Sequence, residues 1–181
     1  MGESFTGLAD DANAAWYNPA GLAVLKRQEL TLMHNELFAG VRQEWMVYAL
    51  PSDTLGTIAF SADVLHVQQF DAFDANDAPI NQISAQDAFY ELLYAKSVGP
   101  LSLGGGAKVL KSRLDAVTAT AFAFDLGALY DTPIEGLRLG LSLQNLGSGL
   151  RYVSETFDLP LGGRAGASYK LISNREREHE L

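Results

Sequence analysis

The sequence predicts an all-β fold of about eight antiparallel strands, and three observations support this fold class. Several segments alternate apolar and polar side chains with a period of two, which is typical of strands whose two faces meet different surroundings. Turn-forming residues separate these segments. No segment approaches the ~20 consecutive apolar residues of a spanning helix, so a chain with this pattern could cross a bilayer only as a closed barrel.

The alternation gives the strand positions. The clearest case is 137–144, where four leucines share one face and Arg138, Gly140, Ser142 and Gln144 share the other. The predicted strands are 29–38, 43–50, 57–64, 88–97, 101–110, 121–130, 137–144 and 164–171.

The breaks between the predicted strands differ in length. Val98, Gly99 and Pro100 form a break short enough for a tight hairpin between the fourth and fifth strands. The longest break, 68–86, contains three aspartates and Pro79. We therefore expect a long exposed loop there, either on the outer side of a barrel or on the surface of a soluble protein.

Alternating strands fit two architectures equally well, a soluble β-sandwich and a β-barrel. The faces opposite the apolar ones are rich in Gly, Ala and Ser, with a few charged or amide side chains among them. A crowded polar lumen has this character, which favours the barrel. The candidate lumen-facing residues are Asp63, Asp125, Arg138 and Gln144.

Composition argues against several function classes. The net charge is −9 and the 13 Lys and Arg residues are scattered, whereas nucleic-acid binding requires clustered basic side chains. The chain has no cysteine, and its three histidines show no metal-ligand spacing. No nucleophile, base and orienting group can be assembled from the sequence, so we expect no enzymatic activity, no metal site and no cofactor.

The segment before the first strand, GLADDANAAWYNPAGLA at 7–23, is interpreted as a short helix followed by a turn. Asp10 and Asp11 precede the helix, where carboxylates can accept hydrogen bonds from free N–H groups and interact favourably with the helix dipole. Pro19 restricts Asn18 to extended geometry, and Gly21 can take a positive φ. Catalysis by the paired acids is the minor alternative, because no pocket or third partner is visible.

The same segment, followed by Glu29, His34 and Asn35, resembles the PorV/PorQ group of outer-membrane proteins, which are relatives of FadL-type transport proteins. The resemblance continues through AFAFDLGALY at 121–130, SLQNLG at 142–147 and LPLGGRAGASY at 159–169. It implies a transmembrane antiparallel β-barrel, FadL-like and of about fourteen strands when complete, with a short N-terminal helical plug. The plug or gate residues that it implies are Asp10, Asp11, Trp16, Asn18, Pro19 and Gly21.

The resemblance also implies how the chain is organised. We expect a plug at 1–27, the first part of the barrel strands at 28–171, and a charged tail at 172–181 that marks a truncation point. Eight strands alone would leave no room for a plug, since side chains fill the interior of so small a barrel. The expected location is the cell outer membrane of a Gram-negative-type bacterium.

Two functions follow from the resemblance. The first is a non-enzymatic binding or shuttle component of a type IX-like secretion system, with secreted proteins or secretion-system components as partners. The alternative is a passive channel for hydrophobic small molecules, which should show a continuous apolar track past the plug. Outer-membrane lipid would surround the protein in both cases, and nucleic acid is not an expected partner.

Overall fold

One curved antiparallel sheet forms most of the fold. The computed structural model describes residues 2–170, and eight strands form a half-barrel in the order β1-β2-β3-β4-β5-β6-β7-β10. Two further strands, β8 and β9, pair only with each other in this part of the chain. The strands are β1 Glu29–Glu36, β2 Val41–Ser52, β3 Gly56–Phe73, β4 Pro79–Val98, β5 Leu101–Leu114, β6 Val117–Asp131, β7 Leu137–Gly147, β8 Leu150–Tyr152, β9 Glu155–Phe157 and β10 Gly162–Tyr169.

The predicted all-β class and the antiparallel pairing are confirmed, and the main sheet is a half-barrel and not one layer of a sandwich. Period-two alternation explains the strands. In β6, Ala121 and Ala123 are buried on the concave face, while Phe122 and Phe124 are exposed on the convex face. Small or polar residues thus predominate inside the curve, with a few large apolar ones such as Trp45, Leu93 and Leu129 buried there, and the residues outside it are mostly large and apolar.

The prediction of a long loop at 68–86 is wrong. β3 and β4 continue through it as one long hairpin, and only residues 74–78 form the turn. The alternation fades there because both faces of the hairpin are mostly exposed to solvent, so apolar side chains have no preferred side. Backbone N–H groups of Ala78 and Asn76 donate to Asp74 Oδ1 and hold the pKa of that carboxyl below its usual range.

The turns at the two ends of the half-barrel differ. Short turns at 53–55, 99–100 and 132–136 lie at one end, which we call the short-turn end. The predicted tight hairpin is confirmed there, with Gly99 at a φ of 60°. The opposite end, the long-turn end, carries the β3–β4 hairpin tip and the β8–β9 ribbon.

Several predicted strand limits also change. β6 begins at Val117 and β2 extends to Ser52, because cross-strand pairing continues beyond the last clearly alternating residue. The predicted end of the last strand at Leu171 and the predicted charged tail at 172–181 lie outside the described residues.

Candidate functional site

Residues 2–25, which we call the plug, lie against the concave face of the sheet. The plug contains a 3₁₀ turn at Gly2–Gly7, the helix α1 at Ala14–Tyr17 and a second 3₁₀ turn at Pro19–Val24. The first turn packs on β7 and β10, and the second packs on β4, β5 and β6. Its buried residues are mostly small, so backbone and wall approach closely and bury a continuous cluster.

Wall glycines make room for the plug, and the approach is closest at three of them. A Cβ atom at Gly104 would lie 2.4 Å from the Pro19 carbonyl carbon, and one at Gly127 would lie 2.2 Å from Asn18 Oδ1. At Gly140 the corresponding distance to the Thr6 carbonyl oxygen is also 2.2 Å. These positions lie close to the short-turn ends of their strands, so the plug occupies that end of the half-barrel.

Asn18 is the polar centre of the plug. Its side chain is fully buried, and its Nδ2 donates to the Thr6 carbonyl at 2.9 Å and to the Ala128 carbonyl of β6 at 3.1 Å. Its Oδ1 accepts from the backbone N–H of Ala20 at 3.2 Å, which caps the second 3₁₀ turn. One side chain thus joins both halves of the plug to the wall. Its backbone is extended, with φ −157° and ψ 99°, as Pro19 predicts.

Wall side chains hold the plug through its carbonyl groups. Ser142 Oγ donates to the Tyr17 carbonyl and Gln144 Nε2 to the Trp16 carbonyl, both at 2.8 Å. Ser168 Oγ donates to the Gly7 carbonyl at 3.0 Å. Glu29 Oε2 accepts from the Ala12 N–H at 2.9 Å, so β1 also takes part. These bonds satisfy plug carbonyl and N–H groups that have no partner within so short a helix.

The predicted capping role of Asp10 and Asp11 is wrong. Asn13 is the N-cap residue of α1, and no side chain hydrogen-bonds at that cap. Asp11 accepts from the backbone N–H of Asn13 at 2.8 Å and so closes the turn before the helix, while Asp10 is exposed. The helix begins later than the sequence indicates, so both carboxylates lie too far upstream to reach its free N–H groups.

Gly21 and Trp16 both lie in the plug as expected, and the predicted positive φ of Gly21 is wrong. The φ of Gly21 is not positive, and glycine is required there for space, because a Cβ atom would lie 2.2 Å from the Ala9 carbonyl oxygen. Trp16 packs edge-to-face on Trp45 of β2, with ring centroids 6.1 Å apart, and lies 5.9 Å from the Phe89 ring. Trp16 therefore closes the plug toward the long-turn end.

A buried charged cluster lies beyond Trp16 on the concave face. Lys108 Nζ of β5 contacts Asp125 Oδ2 of β6 at 2.7 Å, and both side chains are buried. The other Asp125 oxygen accepts from the backbone N–H of Asn145 at 2.8 Å. Glu91 of β4 lies beside this pair, is only 3% exposed, and its Oε1 atom has no hydrogen-bond partner among residues 2–170.

The structure places the four candidate lumen residues on the concave side but does not bring them together. Asp125 and Gln144 line one cavity of about 240 Å³ beside Trp16. Asp63 lies further along the wall and accepts from Gln43 Nε2 at 2.8 Å. Arg138 lies at the short-turn end, where it pairs with Asp131 at 2.6 Å.

Sequence reasoning missed Glu91 and Lys108. Each is a single charge on the inner face of an otherwise apolar or glycine-rich strand, FYELLY at 89–94 and GGGAKVL at 104–110. That isolation is a usable signal, since an unpaired charge on a buried strand face is costly. Their proximity depends on cross-strand register, which the sequence does not display: Glu91 pairs opposite Lys108, and Lys108 opposite Ala123.

Neither a spanning helix nor a metal cluster is found in the described chain. Among residues 2–170, no helix has the length and apolar character needed to cross a membrane. Within the same range, no group of three or more His, Cys, Asp or Glu side chains could hold a metal ion.

Comparison with known proteins identifies the family. The model of an uncharacterised protein family, UPF0164, matches residues 1–115. The chain belongs to this family. A UPF0164 protein from Treponema pallidum (strain Nichols) is 27% identical over 157 residues, which cover 80% of this chain and 39% of that protein. The chain thus spans well under half the length of this curated relative.

The family assignment corrects the resemblance inferred from sequence motifs. The chain matches UPF0164 and matches neither the PorV/PorQ group nor its FadL relatives, so the suspected family is wrong. The motifs that suggested those groups are largely the plug and the strands that touch it. Small residues at close backbone approaches and an Asn-Pro turn meet general packing and backbone requirements, so they do not identify one family.

Proposed function

We propose that this UPF0164 chain forms part of the wall of a membrane-spanning β-barrel, in the cell outer membrane of a Gram-negative-type bacterium, whose plug controls the passage of small solutes. The observation that carries the proposal is the polarity of the two sheet faces. The concave face carries mostly small or polar residues and is covered by the plug, which also buries a few large apolar wall residues such as Trp45 and Leu93, whereas the convex face is apolar and exposed. A water-soluble protein places these surfaces the other way round.

The convex apolar surface is extensive. Soluble monomers rarely expose a contiguous apolar patch larger than ~300–600 Å², and larger patches mark interaction with membranes or proteins. Here the exposed apolar side chains continue across all the strands of the half-barrel. They are Leu30, Leu32, Tyr48, Leu50, Ile58, Phe60, Tyr90, Leu92, Tyr94, Leu101, Leu103, Phe122, Phe124, Leu126, Tyr130, Leu139, Leu141, Leu143 and Tyr169.

Two further features support insertion in a bilayer. Tyr94, Tyr130 and Tyr169 are exposed on the convex face close to the short-turn end, where an aromatic girdle would meet the lipid headgroups. Toward the long-turn end the convex face becomes polar, with Gln86 and Gln82 following Ala88 along β4. An apolar band bounded at both ends is the arrangement found on the outer surface of transmembrane barrels.

Closure of the barrel requires partners for both edge strands. In the described chain β1 pairs only with β2, and β10 only with β7. Open sheet edges do not occur in contact with hydrocarbon, because their backbone groups would lack hydrogen bonds. We therefore propose that additional strands close the sheet, in keeping with the greater length of the Treponema relative.

Solute passage is the activity that the concave face favours. The polar residues around the plug suit a hydrated path, and the plug rests on hydrogen bonds that can open. The charged cluster interrupts any apolar track among the described residues. The secretion role depended on the resemblance that the family assignment overturns, and we do not propose it. No feature of the described residues points to enzymatic chemistry, and we propose none.

Passage of hydrophobic small molecules is a second candidate. A cavity of about 190 Å³ between the wall and the ribbon is lined mainly by apolar side chains, including Leu110, Leu150 and Leu159. A hydrophobic ligand could lodge there, although the charged cluster separates this cavity from the plug. The two candidates differ in which solute crosses when the plug is loosened.

Reconstitution of the full-length protein in lipid vesicles tests the proposal. Asn18→Ala removes three plug hydrogen bonds, each worth about 0.5–1.5 kcal/mol, and should raise the influx of a small sugar measured by vesicle swelling. The matched control is Asn81→Ala, an exposed asparagine on β4, which should leave influx unchanged. A raised uptake of a hydrophobic reporter alone would favour the second candidate. Equal influx for wild type and Asn18→Ala would contradict plug control.

A further inference from the structure

We propose that a groove on the convex face of β5 binds one anionic lipid of the surrounding bilayer. The acyl chain of the lipid lies along Gly105, Ala107 and Val109, and its headgroup phosphate contacts Lys111 and Arg113. This site rests on the proposed function, because a bilayer lipid can reach the groove only if the convex face meets the membrane. It adds to that function the class of lipid and the place where the lipid binds.

The floor of the groove consists of small side chains. Residues on one face of a strand are two positions apart, so Gly105, Ala107 and Val109 follow one another on the convex face of β5. A cavity of about 440 Å³ lies over Gly105 and Ala107 and is lined mainly by apolar side chains. The floor extends about 14 Å along the strand, and one leaflet of hydrocarbon is about 15 Å thick. The floor is therefore about as long as the layer that an acyl chain fills.

Larger side chains on the two neighbouring strands form the walls of the groove. The strand register places an exposed apolar side chain on each side of both of the smallest floor residues: Tyr94 and Leu126 beside Gly105, and Leu92 and Phe124 beside Ala107. A chain that lies between these walls contacts apolar atoms on three sides, whereas a flat sheet offers one. Each atom contact is weak, but many of them together favour binding in the groove.

Two cations lie where the floor ends toward the long-turn end. Lys111 and Arg113 are the next residues on the convex face of β5, and both are exposed. Among residues 2–170, neither forms an ion pair with a carboxylate. Arg113 Nε donates to the backbone carbonyl of Asp115 at 2.9 Å, which engages one of the five guanidinium N–H donors. Both charges are therefore available to an anion at the end of the groove.

The surroundings of the two cations favour phosphate. Neutral residues lie opposite them on both neighbouring strands: Ala88 and Gln86 on β4, and Thr120 and Thr118 on β6. Arg113, Gln86 and His66 also line a hollow of about 620 Å³ whose lining contains no Asp or Glu. Phosphate oxygens accept hydrogen bonds from guanidinium, ammonium and amide groups, and a guanidinium fork matches phosphate geometry.

Inorganic phosphate is the competing occupant, because the two cations alone could hold it. The groove favours a lipid, since its floor and the cations lie on the same face of one strand and the groove leads directly to Lys111. Only an amphiphile contacts both parts at once. A lipid and inorganic phosphate share the charged group and differ in the chain, so a comparison of the two separates these occupants.

The experiment is native mass spectrometry of the full-length protein released from detergent micelles, titrated with dioleoylphosphatidic acid or dioleoylphosphatidylcholine. We expect one molecule of phosphatidic acid to bind at least about fivefold more tightly than phosphatidylcholine, the usual preference conferred by one basic side chain near a membrane surface. An equal concentration of inorganic phosphate should not displace the phosphatidic acid, because it lacks the chain.

Two variants test the two parts of the site. Lys111→Gln combined with Arg113→Gln should abolish the preference for phosphatidic acid. The control combines Lys26→Gln with Arg151→Gln, which removes the same charge at exposed positions outside the groove and should keep the preference. Ala107→Phe fills the floor and should weaken the binding of both lipids. Its control, Ala167→Phe at an exposed alanine of β10, should bind both lipids as wild type does.

The wild-type titrations alone can overturn the proposal, so a folding defect in a variant would not leave it untested. Equal affinity for the two lipids, the absence of bound lipid, or displacement by inorganic phosphate would each contradict it. An undiminished preference in the folded double variant, or undiminished binding by folded Ala107→Phe, would also contradict it. Binding in detergent requires neither a bilayer nor solute passage. A negative result here would therefore leave the vesicle influx result standing, and unchanged influx would leave the lipid titration standing.

Discussion

Leu141→Arg is expected to destabilise the bilayer-inserted full-length protein by about 2–4 kcal/mol, because the convex face of β7 would then place a charge in hydrocarbon. Leu141 lies between Leu139 and Leu143 on that face and is 61% exposed. In water, a side chain so exposed could become arginine at little cost, since surface substitutions usually change stability by less than ~0.5 kcal/mol. Urea unfolding of the protein in lipid vesicles measures the difference.

Ile80→Arg is the matched control for Leu141→Arg. Ile80 is 65% exposed and lies on β4 near the tip of the long hairpin, beyond the apolar band. We expect a change within ~0.5 kcal/mol, because the new charge would remain in water. Equal tolerance of arginine at both positions would show that the convex face does not meet lipid.

Gly104→Ala is expected to displace the plug and to cost about 1–3 kcal/mol, the usual range for overpacking a tight interface. The added methyl group would lie 2.4 Å from the Pro19 carbonyl carbon and carbonyl oxygen, and backbone atoms cannot rotate away as a side-chain tip can. Hydrogen exchange of the plug amides reports this change, because the plug should lose protection while the strands of the wall keep theirs.

Gly105→Ala is the neighbouring control. The side chain at this position would point to the convex face. Its Cβ atom would lie 3.3 Å from the Asp125 carbonyl oxygen and 3.5 Å from Leu126 Cδ2. A small adjustment accommodates these distances, so plug protection should be unchanged. Equal loss of plug protection in both variants would show that glycine is needed for strand geometry and not for plug space.

Alternation of apolar and polar residues predicted the strands that carry the apolar band well. It failed where the two faces of a strand have similar surroundings. Leu137 to Gln144 show strict period-two polarity because β7 meets the plug on one face and is exposed and apolar on the other. The hairpin 68–86 lacks such a contrast, so its sequence predicts a loop where two strands form. Strand detection from sequence therefore depends on the difference between the two faces, which the long hairpin does not have.

The candidate site was only partly predictable. Asn18 and Pro19 could be recognised because their turn is local, and Asp125 and Gln144 because alternation places them on the concave face. The contact of Lys108 with Asp125 and the position of Glu91 beside that pair both depend on strand pairing. Neither property is contained in local sequence, so the charged cluster emerges only from the three-dimensional arrangement.

The family assignment shows a second limit of motif reasoning. The motifs at 7–23 and 121–130 fall on plug residues and on the wall strand that receives them. Packing constraints explain why these motifs resemble those of the PorV/PorQ group, and they were sufficient to predict a plug against a curved sheet. They were insufficient to predict the family, since the same constraints apply to any chain with this packing.

Lipid accessibility along β7 tests the central claim most directly. The printed chain has no cysteine, so spin labels can be attached to single cysteines introduced along 139–144 in a cysteine-free full-length protein in lipid vesicles. We expect labels at Leu139, Leu141 and Leu143 to collide with oxygen dissolved in the bilayer, and labels at Ser142 and Gln144 to be shielded from oxygen by the plug. If labels at the three leucines instead collide preferentially with a water-soluble nickel chelate, the convex face meets water, and the account of a membrane-spanning wall is wrong.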